Sequence, residues 1–362
     1  MAKEPASLQV PSAHVLKPLA GPSHRLATPS CEPFRGEQWR FGAGAAFAGE
    51  PFATAEGSLF FGTNEGYVHA LRPTGEYLWS YTLVGAVSGS VVVDPVSQRC
   101  VVGTSAGTLD AITAQGSPAW RMHFPAGVSG PVLRGARGYL YFADANRGLY
   151  AVAKNGVAIW RVSLAAEITA EPVVWGKEIA LGLGRELWLV PVDRKLRTVS
   201  LPSAAERLAV FDESLLLVQS SEGMAAVGKG GVEWTRPRAT GLAARGGRLA
   251  VLEGAQVVWL SRSGQELSRV NLGELGASQL ALGSDGAAQV LMPSGKIVTV
   301  TEDGRIQTIS DTCQTRVLFM ASVEVPGAAD HDPSRSLLLL GDDSHFLHAF
   351  ALPPARALAF PQ

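Results

Sequence analysis

The chain is poor in charge. Of its 362 residues only 17% are Asp, Glu, Lys or Arg, and the 31 basic residues are matched by 32 acidic ones. A balanced charge argues against a polyanionic partner, so nucleic acid is not expected. Cysteine is almost absent: Cys31, Cys100 and Cys313 are too few and too scattered for a disulfide framework or a paired-thiolate zinc site. No run approaches the roughly 18 apolar residues of a membrane span. The opening MAKEPASLQVPSAHVLKPLAGPSHRLATPSCEPF lacks the uninterrupted apolar core of a secretory signal. As written, the expected location is cytoplasmic. A preceding leader would move the protein to the periplasm or, as a lipoprotein, to the outer membrane, although Thr28, Pro29 and Ser30 do not supply the apolar segment that lipidation of Cys31 requires. Nucleophile-elbow, zincin and phosphate-loop motifs are also missing.

Glycine and proline are plentiful, at 40 and 22 residues, and 46% of the chain is hydrophobic. Such a composition supports a large core interrupted by many turns. Residues 1–35 hold Pro5, Pro11, Pro18, Pro22, Pro29 and Pro33 without a hydrophobic period, which reads as a disordered leader. From Gly36 a regular pattern begins: Trp39, Trp79, Trp120 and Trp160 are spaced by 40, 41 and 40 residues. A period of that length marks stacked supersecondary units. Within each unit the runs are short and β-like, as in SLFFGT, YVHAL and YLWSYTL, then SVVVD, CVVGT, TLDAIT and AWRMHF. Four strands per unit is the content of a propeller blade. Gly66, Gly107 and Gly148 stand at the turn before the third strand, and Gly75, Gly116 and Gly156 at the turn before the fourth. At both places a tight hairpin calls for positive φ.

The later repeats are worn, yet third-strand pieces recur as ELWLV, MAAVG, VVWLS, KIVTV and FLHAF. The count gives an all-β, eight-bladed propeller over 36–352 with a short tail at 353–362. The strand GEQWRF precedes any inner strand, so it is expected to complete the last blade and close the ring, leaving no open sheet edge. Seven blades with a stray hairpin is the alternative.

The segments GTNEGYVHALRPTGEYLW, GPVLRGARGYLYFADANRGLYAVAKNGVAIW and EPVVWGKEIALGLGRELWLVPV resemble the pyrroloquinoline quinone enzyme-like, or quinoprotein-type, propeller repeats. The likeness is specific over 36–192 and looser beyond. It implies that Trp39, Trp79, Trp120, Trp160 and Trp234 dock between neighbouring blades. Later positions such as Leu267 and Gln307 have lost the indole, which implies looser packing there. The Gly-His and Trp-Asp signatures of WD-type repeats are absent. The quinone-dependent enzymes of the family use a vicinal cysteine pair and a carboxylate-amide calcium site, neither of which appears here. The resemblance therefore implies a non-catalytic member similar to the propeller lipoprotein of outer-membrane protein assembly.

The one polar concentration lies in ADHDPSRS and GDDSHFLH. A cation site there would use Asp330, Asp332, Asp342 and Asp343 with His331 and His345. Against it, Asp-Asp-Ser reads as a solvated turn, and His345 and His348 point to opposite faces of a predicted strand. The expectation is a non-enzymatic scaffold, monomeric by itself and without a cofactor, that binds other proteins through its loop faces or channel rim. A ligand- or cation-binding sensor is the alternative, and a quinone-dependent dehydrogenase the remote one.

Overall fold

The computed structural model describes residues 36–191, 195–277, 279–310, 316–325 and 335–352. Its strands form eight antiparallel sheets of four strands each. In blade 1 these are Phe52–Ala53, Leu59–Gly62, Tyr67–Leu71 and Tyr77–Thr82, running from the inner strand to the outer one.

The runs are apolar on both faces because each blade packs against a neighbour on both sides. In Leu59–Gly62 all four residues are buried. Side chains alternate across the sheet, so Leu59 and Phe61 join a cluster with Phe319, Leu337 and Leu347 of blade 8. Phe60 turns the other way, towards Val91, Val93 and Cys100 of blade 2. The same division repeats around the ring, giving a separate apolar core at each junction rather than one central core. The outer strands half-emerge, as the mixed exposure of Tyr77–Thr82 shows.

Blade 8 is built from both ends of the chain. Its strands Val317–Val325, Arg335–Asp342 and Phe346–Ala351 are followed in the sheet by Glu37–Gly42. Trp39 pairs with Ala349, Arg40 with His348 and Phe41 with Leu347. The N-terminal strand thus completes the last blade, and the ring has eight blades.

The tryptophans of the outer strands join each blade to the next. Trp39 donates its indole N–H to Pro73 O at 3.0 Å, Trp79 to Ala114 O at 2.8 Å, Trp120 to Lys154 O at 3.3 Å and Trp234 to Arg262 O at 2.9 Å. Each indole covers a turn glycine of the next blade: a Cβ on Gly75 would lie 2.5 Å from Trp39, one on Gly116 2.7 Å from Trp79, and one on Gly264 2.7 Å from Trp234. These glycines are needed twice over, for their positive φ and for the close approach of the ring. Trp160 is 8% exposed and makes no such bond to a described residue. Residues 192–194, at the corresponding place in blade 4, lie outside the described residues.

In blade 6 the register puts Ser268, not Leu267, in this position, opposite Trp259 as Trp79 is opposite Ala70. Its hydroxyl donates to Glu302 O at 2.5 Å. Gly304, the counterpart of Gly75, has nothing within 4 Å of a would-be Cβ. The junction of blades 6 and 7 is filled instead by Trp259, 1% exposed, whose indole donates to Gly286 O at 3.1 Å. Ser268→Trp should therefore lay an indole over open space at Gly304 and stabilise the protein by about 0.5–2 kcal/mol in urea unfolding. A loss of stability would show that this gap is not the shape of the missing ring.

Candidate functional site

Two kinds of surface are available to a partner: the loops at the ends of the ring and the wall of its channel. At one end, the connections leaving each outer strand meet the turns between second and third strands. Leu83 N donates to Gly66 O within blade 1, and Ser105 N of blade 2 donates to Ala86 O in the same connection. Phe124 N donates to Gly107 O and Ala145 N to Gly127 O one blade further on. These two connections are therefore each tied to two blades, and the connection after blade 6 is tied to its own blade by Leu272 N donating to Ala255 O. Val84 is 57% exposed and Leu275 76% exposed on two of these connections. Neither residue carries a sequence signature, and the sequence reading missed both.

The turns at this end do not all follow the glycine pattern. Gly66 and Gly107 have φ of 80° and 78°, but in blade 3 Arg147 takes the left-handed conformation, at φ 58°, and Gly148 opens the strand. The expectation of a positive-φ Gly148 is thus corrected. Asp144 provides the reason, because its Oδ1 accepts the N–H groups of Asn146 and Gly148 and closes the turn without glycine. At the opposite end Gly75, Gly116 and Gly156 have φ of 83°, 80° and 87°.

In the last blade Asp342 occupies the position of Asp144. It is only 2% exposed, contrary to the solvated turn expected from Asp-Asp-Ser. Its Oδ1 accepts Phe346 N at 2.8 Å, and its Oδ2 lies 3.1 Å from His348 Nε2. Nδ1 of His348 lies 2.9 Å from Glu37 Oε1 on the N-terminal strand. Burial pushes the imidazole towards neutrality, but the bonds to Asp342 and Glu37 outweigh it and raise its pKa above 6.5. His345 is not on the strand: it ends the turn with φ 68°. Asp343 is exposed and accepts Arg316 N. Asp330, His331 and Asp332 lie outside the described residues. Among the described residues no group of three or more His, Cys, Asp or Glu is placed to hold a metal ion. Asp342 is instead half of a clasp that joins the two ends of the chain.

Two chambers lie along the inner strands of the described residues. One, about 620 Å³, is walled by Phe47, Glu50, Glu171, Glu206, Arg207 and Phe319 from blades 1, 4, 5 and 8. Glu50 is open to the chamber yet walled in, so desolvation raises its carboxyl pKa, with Arg207 opposing and Glu171 reinforcing. The other chamber, about 540 Å³, lies among the inner strands of blades 1 to 4 and is lined mainly by Phe52, three consecutive valines at 91–93, Val132 and Val174. Thr54, Glu56, Gln98 and Arg134 are its polar members near the turns between inner and second strands, and Ser90 lies on its other side.

No helix of the described residues is long and apolar enough to cross a membrane. The family model described as outer membrane protein assembly factor BamB matches residues 33–123 and 105–343. The search of curated proteins returned no match. Among solved structures, BamB from Moraxella catarrhalis is similar at 14% identity, covering 87% of this chain and 99% of that one with a TM-score of 0.66. Sqt1 from Saccharomyces cerevisiae is 11% identical, with 88% and 99% coverage and a TM-score of 0.70. The WD40 propeller domain of Doa1 is 11% identical over 89% of this chain, with a TM-score of 0.55. The likeness to these structures shows the fold, and it extends to a WD40 propeller although the chain lacks WD signatures.

Proposed function

Since the chain belongs to the family of the outer membrane protein assembly factor BamB, we propose that it is a non-catalytic scaffold that holds another protein on the end of the ring where its inter-blade connections emerge. The observation that carries this reading is the way those connections are fixed. The connections after blades 1 and 2 are each hydrogen-bonded to two successive blades, and that bearing Leu275 is tied to blade 6 through Leu272 N and Ala255 O, so a partner meets a surface that is already ordered and little conformational entropy is lost on binding. Val84 and Leu275 stand out on that surface as exposed apolar contacts held by non-adjacent blades.

The finer proposal is that the partner belongs to an assembly complex of the cell envelope, as the name of the family states for its model member. Fractionation of the native cells separates this from a cytoplasmic scaffold. Recovery with the envelope supports the assembly reading, and recovery in the cytosol contradicts it.

The scaffold reading is tested by affinity capture from the native cells with the wild-type chain and with Val84→Glu/Leu275→Glu. These side chains are exposed, so the double variant should unfold within about 0.5 kcal/mol of wild type. Proteins captured by wild type and lost from the variant support the proposal. The same set from both, or none from either, contradicts it.

A further inference from the structure

The apolar chamber of the channel is not used by the scaffold reading and lies towards the other end of the ring. Its volume, about 540 Å³, falls within the ~300–1,000 Å³ of small-molecule sites, which are typically apolar clefts with a few fixed polar groups. Its wall comes from the inner strands of four blades and the turns that follow them, with Phe52, Val92, Val132, Val173 and Val174 among its apolar members. Such a wall favours a hydrocarbon or aryl group over water.

The polar groups at this chamber are arranged rather than scattered. Asp94 is 5% exposed, and its Oδ2 accepts both the N–H and the hydroxyl of Ser97 at 2.9 and 2.7 Å. Its Oδ1 accepts Nε of Arg134 at 2.8 Å. Burial alone would raise the Asp94 carboxyl, but the bonds from Ser97 and Arg134 outweigh it, so the group stays ionised. Asp94 thereby fixes the guanidinium by one edge. The two terminal amino groups of Arg134 have no hydrogen-bond partner among the described residues. They form the fork that pairs with a carboxylate. The exposed carboxylate of Glu56, on the turn after Thr54, also lines the chamber and opposes an anionic head, so the fork of Arg134 has to outweigh it.

We propose that this chamber binds a small amphiphile, with a carboxylate head on Arg134 and an apolar tail among the valines of blades 1 to 4. Head and tail contribute separately, and the experiment separates them. Dodecanoate and dodecyltrimethylammonium are titrated below their micellar concentrations and dodecanol below its solubility limit, with binding read by calorimetry and by thermal shift. Dodecanoate should bind saturably, one per chain, and raise the unfolding temperature. Dodecanol should bind about tenfold to a hundredfold more weakly, the factor that charge-assisted hydrogen bonds contribute, and the cationic amphiphile should not bind. Arg134→Gln should reduce dodecanoate to the level of dodecanol. Val173→Trp fills the chamber from a partly exposed position and should abolish both.

If Arg134→Gln fails to fold, the comparison of heads on wild type and the loss in Val173→Trp still decide the matter. Equal binding of dodecanoate and dodecanol, binding unaffected by Val173→Trp, or no saturable binding would each overturn the proposal. So would displacement of dodecanoate by a peptide with an apolar C-terminal residue that binds more tightly, because the site would then belong to a protein chain end.

Discussion

Leucine in place of His348 should lower the free energy of unfolding by about 3–5 kcal/mol, the cost of breaking a buried ion-pair network by removing one member. His348 lies between Asp342 and Glu37, whose side chains are 3% and 6% exposed, at 3.1 and 2.9 Å. Without the imidazole two carboxylates face one another in a space that water does not reach. Glu37 belongs to the N-terminal strand and Asp342 to the last hairpin, so the repulsion acts on the seam of the ring. Urea unfolding measures the loss, and an effect below about 1 kcal/mol would show that the clasp does not hold the seam.

The clasp also has a pH dependence of definite sign. Because the folded pKa of His348 is raised above 6.5, its contribution is complete below that pH and is lost as pH rises through the folded value. The charged groups facing it are Asp342 on its own hairpin and Glu37 across the seam, with Arg40 opposite it in register and stacked over Phe346. Thermal midpoints of wild type should decline from about pH 6.5 upward relative to those of His348→Gln, in which this component is absent. Parallel curves would exclude the charged clasp.

Trp79→Ala should cost about 3–5 kcal/mol, the usual loss for truncating a buried aromatic side chain. The indole is 9% exposed, packs on Phe60 with ring centroids 5.8 Å apart, and donates to Ala114 O. Trp79→Phe keeps most of the area and loses the hydrogen bond, so it should cost less. The glycine beneath gives an independent check. Gly116→Val places a side chain where a Cβ alone would come within 2.7 Å of the ring, at φ 80°, and should match or exceed the loss in Trp79→Ala. Gly304→Ala has the same backbone handicap, φ 92°, but no neighbour within 4 Å, so it should cost only about 1–2 kcal/mol. Equal losses at the two glycines would mean that backbone strain, not contact with the indole, accounts for the effect.

The ring was legible because its physics is local and periodic. Turn glycines and outer-strand tryptophans recur every 40 or 41 residues in the first four copies, and the early strand GEQWRF had no inner strand before it to pair with. Ser268, not Leu267, stands four residues after its turn glycine, Gly264, as Trp79 does after Gly75, and the same bulge lies beside Ala70 and Trp259, so this position was within reach of the spacing and the expectation fell one residue short. What the sequence concealed depends on register or on distance. Asp144 replaces a glycine by bonding to backbone N–H groups, so Arg147 assumes a conformation that the repeat had suggested for Gly148. Glu37 and His348 are 311 residues apart and carry no motif until the ring closes. The apolar chamber is assembled from inner strands as short as two residues, Phe52–Ala53 and Val92–Val93, whose valines look like any core. Trp175, which donates to Asp212 O at 3.0 Å, and Trp259 fall outside the outer-strand pattern yet also join blades.

The most direct test of the central claim, that the N-terminal strand closes the ring within one chain, is a disulfide across the seam. Gly42 and Phe346 are paired residues, and a Cβ on Gly42 would lie 3.4 Å from the ring of Phe346. Cysteines at both positions, in a chain whose native cysteines are replaced by alanine, are oxidised mildly and located by peptide mass spectrometry. The account predicts near-complete bonding of residue 42 to residue 346 in monomeric protein. No bond, or a bond found only between two chains, would contradict it.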